Sequence, residues 1–294
     1  MNPDLDSASV ARPSRPAGRP SPLDTRTWFE AATPAGALRL CTPAVGHAAL
    51  HAAAALRPVE ALLDALDAWL GIELDWRWIG TPAAPLSTAT HTYAEWRAGG
   101  EPGPQAALLE WPWALLRSLP APAQPLGAEL RWPHVGAVLV AAQWRIEAEQ
   151  LRELETGGAV LLVPSFASTW RGLLRAGYEP ARPGVGAGVV LRAPDQARVG
   201  ARLDVADDPS DPAHAPWCEV RLEPLRTFAA GHLAGWAEAD IGGVEPRATL
   251  WRCAGDDQGA CHLASGRLMP WGDGWALALE RVGDHAGEPP TRMV

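Results

Sequence analysis

Two histidines one helical turn apart have the clearest chemical spacing in the first half of the chain. His47 and His51 stand at positions i and i+4, where a helix places both imidazoles on one face, as zinc ligands require. A zinc metalloprotease also needs Glu beside the first His as general base, and that position holds Ala48. Packed or surface histidines are therefore favoured. A metal-dependent hydrolase using His47 and His51 is retained as an alternative of a different class.

A second group of ligand-type side chains lies near the C-terminus. Cys253, Cys261 and His262 fall within ten residues, with Asp256 and Asp257 between the two thiols. These intervals match no zinc-ribbon or zinc-knuckle pattern. A hairpin with two buried cysteines is favoured, and we expect no bound metal and no cofactor.

The remaining catalytic signatures are missing from the sequence. The Gly-rich stretch Gly184–Gly188 precedes a strand instead of joining a strand to a helix, so it indicates a turn and not a phosphate cradle. No Ser stands in a GxSxG elbow, and the chain contains no Lys for a GxxxxGK[ST] loop. We therefore expect a protein that is not an enzyme and has no catalytic residues.

Composition narrows the function classes further. The 294 residues are 47% hydrophobic, which predicts a buried core. The chain has 25 basic residues, all of them Arg, and 34 acidic residues. The resulting net charge of −9 repels phosphate backbones, so a nucleic-acid partner is not expected. Four cysteines without CxxC spacing fit a reducing compartment.

The start of the chain and its apolar runs bear on localisation. The first residues show no basic start followed by an apolar run, so no secretory signal is visible. The longest apolar stretches, such as Val135–Ala142 and Ala159–Val163, are shorter than the roughly 18 residues of a bilayer-spanning helix. A cytoplasmic protein without direct membrane insertion is expected.

The first 125 residues divide into an arm and a domain. Residues 1–26 are rich in Pro, Ser and Arg and predict a disordered arm, and residues 27–125 predict a mixed α/β domain. Within it, Pro58–Leu70 has apolar residues at helical spacing and ends before Gly71.

Two more elements are predicted in this domain. Ile72–Ile79 alternates like a half-buried strand. Ala106–Leu119 predicts a second helix, kinked or started by Pro112, and the Pro-rich stretch after it places a boundary near residue 125.

The rest of the chain predicts two small β-rich modules, which completes an α+β fold class. Residues 128–194 form the first module and 217–282 the second, joined by an acidic Asp/Pro linker at 195–216 and followed by a tail at 283–294. Predicted strands of the first module are Ala128–Trp132, Gly136–Ala141, Trp144–Ala148, Ala159–Val163 and Gly188–Arg192. The two segments have a similar order of elements, which indicates an internal duplication.

The second module carries its own hairpin signal. The turn Trp271–Gly274 separates Leu263–Leu268 from Trp275–Leu279. A short helix is expected within Phe228–Trp236.

Tryptophan is the dominant aromatic residue, with 15 Trp against 3 Phe and 2 Tyr. Most of these side chains should be core, and a minority should anchor interfaces, where Trp and Arg are enriched. Strand positions such as Trp132, Trp144, Trp251 and Trp275 are therefore candidate interface anchors.

One motif resembles a known family. The segment 138–163 resembles a SpoA (surface presentation of antigens) module, in which a strand leads to L-x-x-L-x-x-G-[DGN]-x-[VL]-x-[LV]. The residues that fill those places are Leu151, Leu154, Gly157, Gly158, Val160 and Leu162. In the second segment, His232–Gly243 fits poorly, whereas Leu263–Leu268 followed by Gly272–Leu277 resembles the closing hairpin of the module.

Two such modules after a mixed N-terminal domain are similar to the SctQ/HrcQ/YscQ proteins of type III secretion systems, which are relatives of the flagellar proteins FliM and FliN. The resemblance implies a non-enzymatic scaffold of the cytoplasmic sorting platform, or C-ring, at the inner-membrane base of the secretion apparatus. The SpoA modules would self-associate, pairing with each other, and would bind an SctL-like stator protein.

The same resemblance implies further partners. The N-terminal part would bind an SctK-like adaptor, and an SctN-like ATPase and chaperone–substrate complexes would be recruited indirectly. The predicted module-pairing or partner-docking residues are Trp132, Trp144, Leu151, Leu154, Gly157, Val160, Leu162, Trp251, Leu268 and Trp275. A FliM/FliN-type flagellar switch component is the alternative within the same class.

Overall fold

The structure is a computed structural model that describes residues 27–42, 52–80, 90–98, 107–177, 184–193, 196–199, 216–242, 247–253 and 260–283. In these ranges, short helices accompany two sheets in which every strand pairing is antiparallel. The mixed α+β expectation is confirmed at this level. Several predicted parts lie outside the described ranges: the arm at 1–26, His47, His51, residues 195 and 200–215 of the linker and residues 284–294 of the tail.

The first sheet has six strands in the order β3-β1-β2-β5-β4-β6. Their bounds are Thr27–Thr33 (β1), Gly36–Thr42 (β2), Arg77–Gly80 (β3), His91–Trp96 (β4), Ala107–Pro112 (β5) and Leu130–Arg131 (β6). Alternation divides the two faces, because successive side chains of a strand point to opposite sides. The inner face holds Phe29, Leu40 and Trp111, all buried.

Four short helices accompany this sheet: Ala52–Leu56 (α1), Glu60–Leu70 (α2), Trp113–Ser118 (α3) and Leu126–Glu129 (α4). The predicted helix over 58–70 is confirmed as a 3₁₀ turn at Arg57–Val59 that continues into α2. Leu62 and Leu66 are one turn apart and buried. Gly71 ends α2 with φ 68°, a left-handed conformation that glycine adopts without steric cost.

The second sheet has ten strands, all from residue 134 onward. Those of its first half are His134–Arg145 (β7), Ala159–Leu161 (β8), Trp170–Ala176 (β9), Ala187–Ala193 (β10) and Gln196–Val199 (β11). Those of its second half are Trp217–Ala229 (β12), Ala239–Gly242 (β13), Arg247–Arg252 (β14), Cys261–Trp271 (β15) and Gly274–Val282 (β16). Helix Ala148–Arg152 (α5) follows β7, and helix Ala230–Leu233 (α6) follows β12.

The strand order of this sheet is symmetric. It runs β13-β11-β10-β9-β7-β12-β14-β15-β16-β8. If each strand of the first half is exchanged with its counterpart in the second, the same order is obtained in reverse. Each half forms a run of four strands, β7 and β12 join the runs at the centre, and the fifth strand of each half crosses over to cap the far end of the other run.

Two short strands cross the module boundaries that the sequence predicts. Residues 130–131, assigned to the first module, form β6 in the first sheet, because Arg131 pairs with Glu95 of β4. Residues 196–199, assigned to the linker, form β11, in which Ala197 and Val199 are buried and pair with β13. Strand β13 follows β11 by some forty residues, so the composition around 196–199 does not indicate that these residues pair with it.

Local elements also differ from expectation. The predicted helix over 106–119 is strand β5 followed by helix α3, and Pro112 is the N-cap at the junction. The chain is extended there, because proline fits before a first helical turn but not inside a helix. Of the strand predicted over 72–79, only the residues from Arg77 onward pair with a neighbouring strand, as part of β3. Strand β9 was not predicted.

No described helix combines the length and the apolar character that crossing a bilayer would need.

Candidate docking site at the junction of the two C-terminal segments

The central feature of the ten-stranded sheet is the seam between β7 and β12. The two strands pair from Trp217 opposite Arg145 to Ala229 opposite His134, with register shifts after Val220 and after Leu222. The seam joins residues that are far apart in sequence, so its side chains decide how the two segments fit together.

A charged network lies buried at this seam. Arg175 of β9 donates to both carboxylate oxygens of Glu219 on β12, at 3.0 Å and 2.5 Å, and both side chains are essentially inaccessible. Arg221 donates to the same carboxylate at 2.5 Å, and Gln143 Nε2 of β7 donates to it at 2.9 Å. The Cys253 thiol approaches Glu219 at 3.7 Å. Residues of both segments therefore converge on one carboxylate.

Electrostatics keep that carboxylate ionised. Burial alone would raise the pKa of Glu219, but the hydrogen bonds and charge of Arg175, the charge of Arg221 and the bond from Gln143 hold it below its ordinary value. A paired bidentate carboxylate of this kind contributes geometry and specificity to a junction.

The neighbouring thiols are protonated. Burial raises the pKa of Cys218 to about 12, and burial followed by the charge of Glu219 raises that of Cys253. Because the thiolate is the reactive form of cysteine, these two side chains act as small apolar groups at the seam.

Trp144 and Trp251 are two predicted anchors: Trp144 lies at the seam, and Trp251 lies beside it, opposite Glu219 on the next strand. Trp144 is half-buried and pairs with Cys218 across β7 and β12. Trp251 is half-buried on β14; the guanidinium of Arg221 lies 4.1 Å from its ring centroid, and its Nε1 donates to Thr249 Oγ1 at 2.9 Å. Arg221 therefore links Trp251 to Glu219.

The predicted residues Gly157 and Val160 bring the first segment to the end of the second. Gly157 has φ 90°, and its N–H donates to the Leu279 carbonyl at 2.8 Å. Val160 of β8 lies opposite Leu277 of β16. Both contacts cross between the segments.

Leu162, Leu268 and Trp275 complete that end. The buried Leu162 donates its N–H to the Trp275 carbonyl at 2.9 Å, and the Trp275 ring stacks with Trp170 at a centroid distance of 6.0 Å. Leu268 is buried opposite Leu277. Leu162 and Trp275 therefore lie at the contact between the segments, whereas the pairing of Leu268 lies within the β15–β16 hairpin. Whether these side chains also dock a partner stays a prediction.

The predicted motif leucines pack inside. Leu151 is buried on helix α5, and Leu154 is half-buried just beyond it. A capping box between Glu147 and Gln150 starts this helix.

Trp132 belongs to a different contact. Trp69, Trp111, Trp132 and Trp236 form a closed ring in which neighbouring centroids are 5.2 to 6.0 Å apart. Trp69 comes from helix α2 of the first sheet region and Trp236 from the second sheet region, so the ring joins the two sheets. One continuous apolar core extends across both.

An exposed apolar surface near β8, which we call the β8 patch, was not predicted. Its members are 38% to 61% exposed, far more than core side chains. They are Leu161, Val163, Phe166, Met269 and Trp271. The sequence could have indicated it, because Met269 and Trp271 stand at the solvent-facing positions of an alternating strand, where polar residues are expected.

The second ligand-type cluster, around Cys253 and Cys261, lies only partly within the described ranges. Cys253 is buried and Cys261 half-buried, in partial agreement with the predicted hairpin of two buried cysteines. Among the residues that the structure describes, no three His, Cys, Asp or Glu side chains come together to hold a metal ion. Asp256 and Asp257 lie outside those residues.

Neither a protein-family model nor a curated protein matches this chain.

Proposed function

We propose that this protein is a non-enzymatic scaffold of a type III secretion sorting platform. In this role its paired C-terminal segments dock an SctL-like stator protein, and its N-terminal sheet region docks an SctK-like adaptor. Through them it recruits an SctN-like export ATPase and chaperone-bound substrates at the cytoplasmic side of the inner-membrane base.

One observation carries the proposal: the reciprocal exchange of β8 and β13 between the two segments. The SpoA resemblance at residues 138–163 implies two modules that pair by intertwining, and the pairing of β13 with β11 and of β8 with β16 supports this proposal. A module of about 65 residues buries only a modest share of its surface alone, so exchange of an edge strand provides the missing core.

Co-purification tests the proposal. The full chain is co-expressed with SctL-like and SctK-like proteins, and we expect both to be retained through size exclusion. A folded chain that retains neither partner contradicts the proposal. Retention of flagellar stator or switch proteins instead would support the FliM/FliN-type alternative.

A pair of variants tests where the stator binds. Glu219→Gln removes the central charge of the seam, so we expect it to lower retention of the SctL-like protein more than that of the SctK-like protein. Arg198→Ala is the matched control, because its ion pair with Glu238 is about 60% exposed on both sides. Equal retention of the SctL-like protein by both variants would place its docking surface away from the seam.

A further inference from the structure

The two outermost strands of the ten-stranded sheet are topological counterparts with different chemistry. At one end, β13 and the residue before it carry Glu238 and Asp240 beside Arg198 of β11. Charged side chains on an edge strand discourage pairing with another chain. At the other end, Ala159–Leu161 carries no charge and no proline. Only one of the two equivalent edges is therefore protected.

The main chain of β8 leaves hydrogen-bonding groups available at the open edge. Leu279 N–H donates to the Gly158 carbonyl and Leu162 N–H donates to the Trp275 carbonyl, both at 2.9 Å. Antiparallel ladders alternate between residues that bond to the neighbour and residues that point away. The N–H and C=O groups of Ala159 and Leu161 consequently point away from β16.

The β8 patch lies beside this edge on one face of the sheet. Leu161 and Met269 both pair with Ala276, from opposite sides, and Trp271 pairs with Gly274. The Phe166 ring covers Gly274 so closely that a Cβ there would lie 2.8 Å from it. The result is a continuous apolar surface that reaches the open strand.

We propose that β8 pairs with β8 of a second copy of this chain, antiparallel about a two-fold axis at Val160. This register places Ala159 of each copy opposite Leu161 of the other, so the outward main-chain groups form four hydrogen bonds. The large Leu161 then lies beside the small Ala159 on the face of the β8 patch. The interface is self-complementary, as a two-fold interface must be.

Charge favours a second copy in this register. The carboxylates of Glu153 and Glu155 precede β8, so the antiparallel direction places them opposite the uncharged residues 165–167 of the other copy. These two carboxylates therefore face no like charge across the edge. The inference does not depend on a secretion role, because it uses only the edge and the residues beside it.

Cysteine cross-linking of the full-length chain tests the register. In a non-hydrogen-bonded antiparallel pair the two Cα atoms are about 4.5 Å apart, within disulfide range, so Val160→Cys should cross-link across the two-fold axis under mild oxidation. In Leu161→Cys each introduced cysteine faces Ala159 of the other copy, two positions away from the other cysteine, so the two should not cross-link. Cross-linking of both variants alike, or of neither, overturns the proposed pairing.

Sedimentation velocity tests the association itself. The wild-type chain should show a monomer–dimer equilibrium with a dissociation constant below about 100 µM. Leu161→Lys and Ala159→Pro should each raise this dissociation constant at least tenfold. The proline removes an N–H that points away from β16, so the β8–β16 ladder is kept. Tyr93→Lys, at an exposed position of β4, is the matched control and should dimerise like wild type.

Two results would overturn the proposal in this experiment. One is a wild-type chain that stays monomeric at that concentration. The other is a dimer that both folded edge variants form as strongly as wild type. Loss of dimerisation with partner binding intact would separate this inference from the proposed function.

Discussion

Glu219 is the residue on which the seam depends, because three side chains from three strands bond to its carboxylate. In Glu219→Gln the buried Arg175 loses its counter-charge, and breaking a buried pair by removing one partner costs about 3–5 kcal/mol. We expect a loss of unfolding free energy in this range, measured by urea denaturation. Arg198→Ala, which breaks an exposed pair, should cost under about 1 kcal/mol.

A double variant gives the sharper comparison at the same site. Arg175→Met combined with Glu219→Gln removes the unpaired charge, so it should recover part of the stability lost in Glu219→Gln alone. A double variant less stable than the sum of the two single changes would show that the ion pair is not the source of the effect.

The same carboxylate predicts a pH dependence. The pKa of Glu219 in the folded chain lies below its ordinary value, despite burial, because of Arg175 and Arg221. The contribution of the Glu219 carboxylate to the free energy of unfolding is therefore complete above the ordinary glutamate pKa of about 4.3. It is lost as the pH falls further, through the pKa of the folded state. The difference in unfolding free energy between wild type and Glu219→Gln should be constant from pH 7 to 5 and shrink below about pH 4.

Thiol reactivity separates the cysteines. Cys41, Cys218 and Cys253 are buried, and burial raises the pKa of Cys218 to about 12, whereas Cys261 is half-buried. At pH 8 a chromogenic disulfide reagent should therefore modify Cys261 rapidly and the other three only in denaturant. Cys261→Ser should abolish the rapid phase; a rapid phase that persists would contradict this assignment.

At the scale of elements, the β15–β16 hairpin depends on a close approach of main chains at Gly266. A Cβ at this position would lie 1.8 Å from the Ala278 carbonyl oxygen, so the strands must separate to admit one. We expect Gly266→Ala to cost about 1–3 kcal/mol or more, as overpacking does. Gly231→Ala in helix α6 is the control, because its Cβ would meet Trp236 at an ordinary 3.6 Å.

Elements fixed by local pattern could be predicted from the sequence, and those fixed by distant partners could not. The α2 helix followed from its apolar spacing and Gly71, and the β15–β16 hairpin from the Gly-Asp-Gly turn. Strand β11 has only four residues in an acidic, Pro-rich setting, and it exists because β10 and β13 lie on either side of it. Its signal is therefore tertiary.

The candidate site was predictable to a similar extent. The motif positions Gly157, Val160 and Leu162 were found by resemblance, and they do contact the other segment. The burial of Glu219 was missed, because an acidic residue in an alternating strand is normally solvent-facing and its partner Arg175 lies 44 residues away.

At the scale of the whole molecule, the tryptophan ring joins the two sheets. Trp236 donates its Nε1–H to the Leu119 carbonyl at 2.9 Å, and Trp69 donates to the adjacent Pro120 carbonyl at 3.0 Å. Arg117 adds a bond to the Leu233 carbonyl. Since both sheets share one core through this contact, we expect the wild-type chain to unfold in a single cooperative transition.

Removing one member of the ring should uncouple the sheets. Trp236→Ala leaves a cavity and should cost about 3–5 kcal/mol, as truncation of a packed tryptophan does, and should split the urea transition followed by fluorescence and circular dichroism into two. Trp78→Ala removes a tryptophan that is 40% exposed on β3 and should keep a single transition. A single transition in both variants would mean that the sheets are coupled by the surrounding core and not by the ring, because the loss of Trp236 would then lower the stability of the whole chain uniformly.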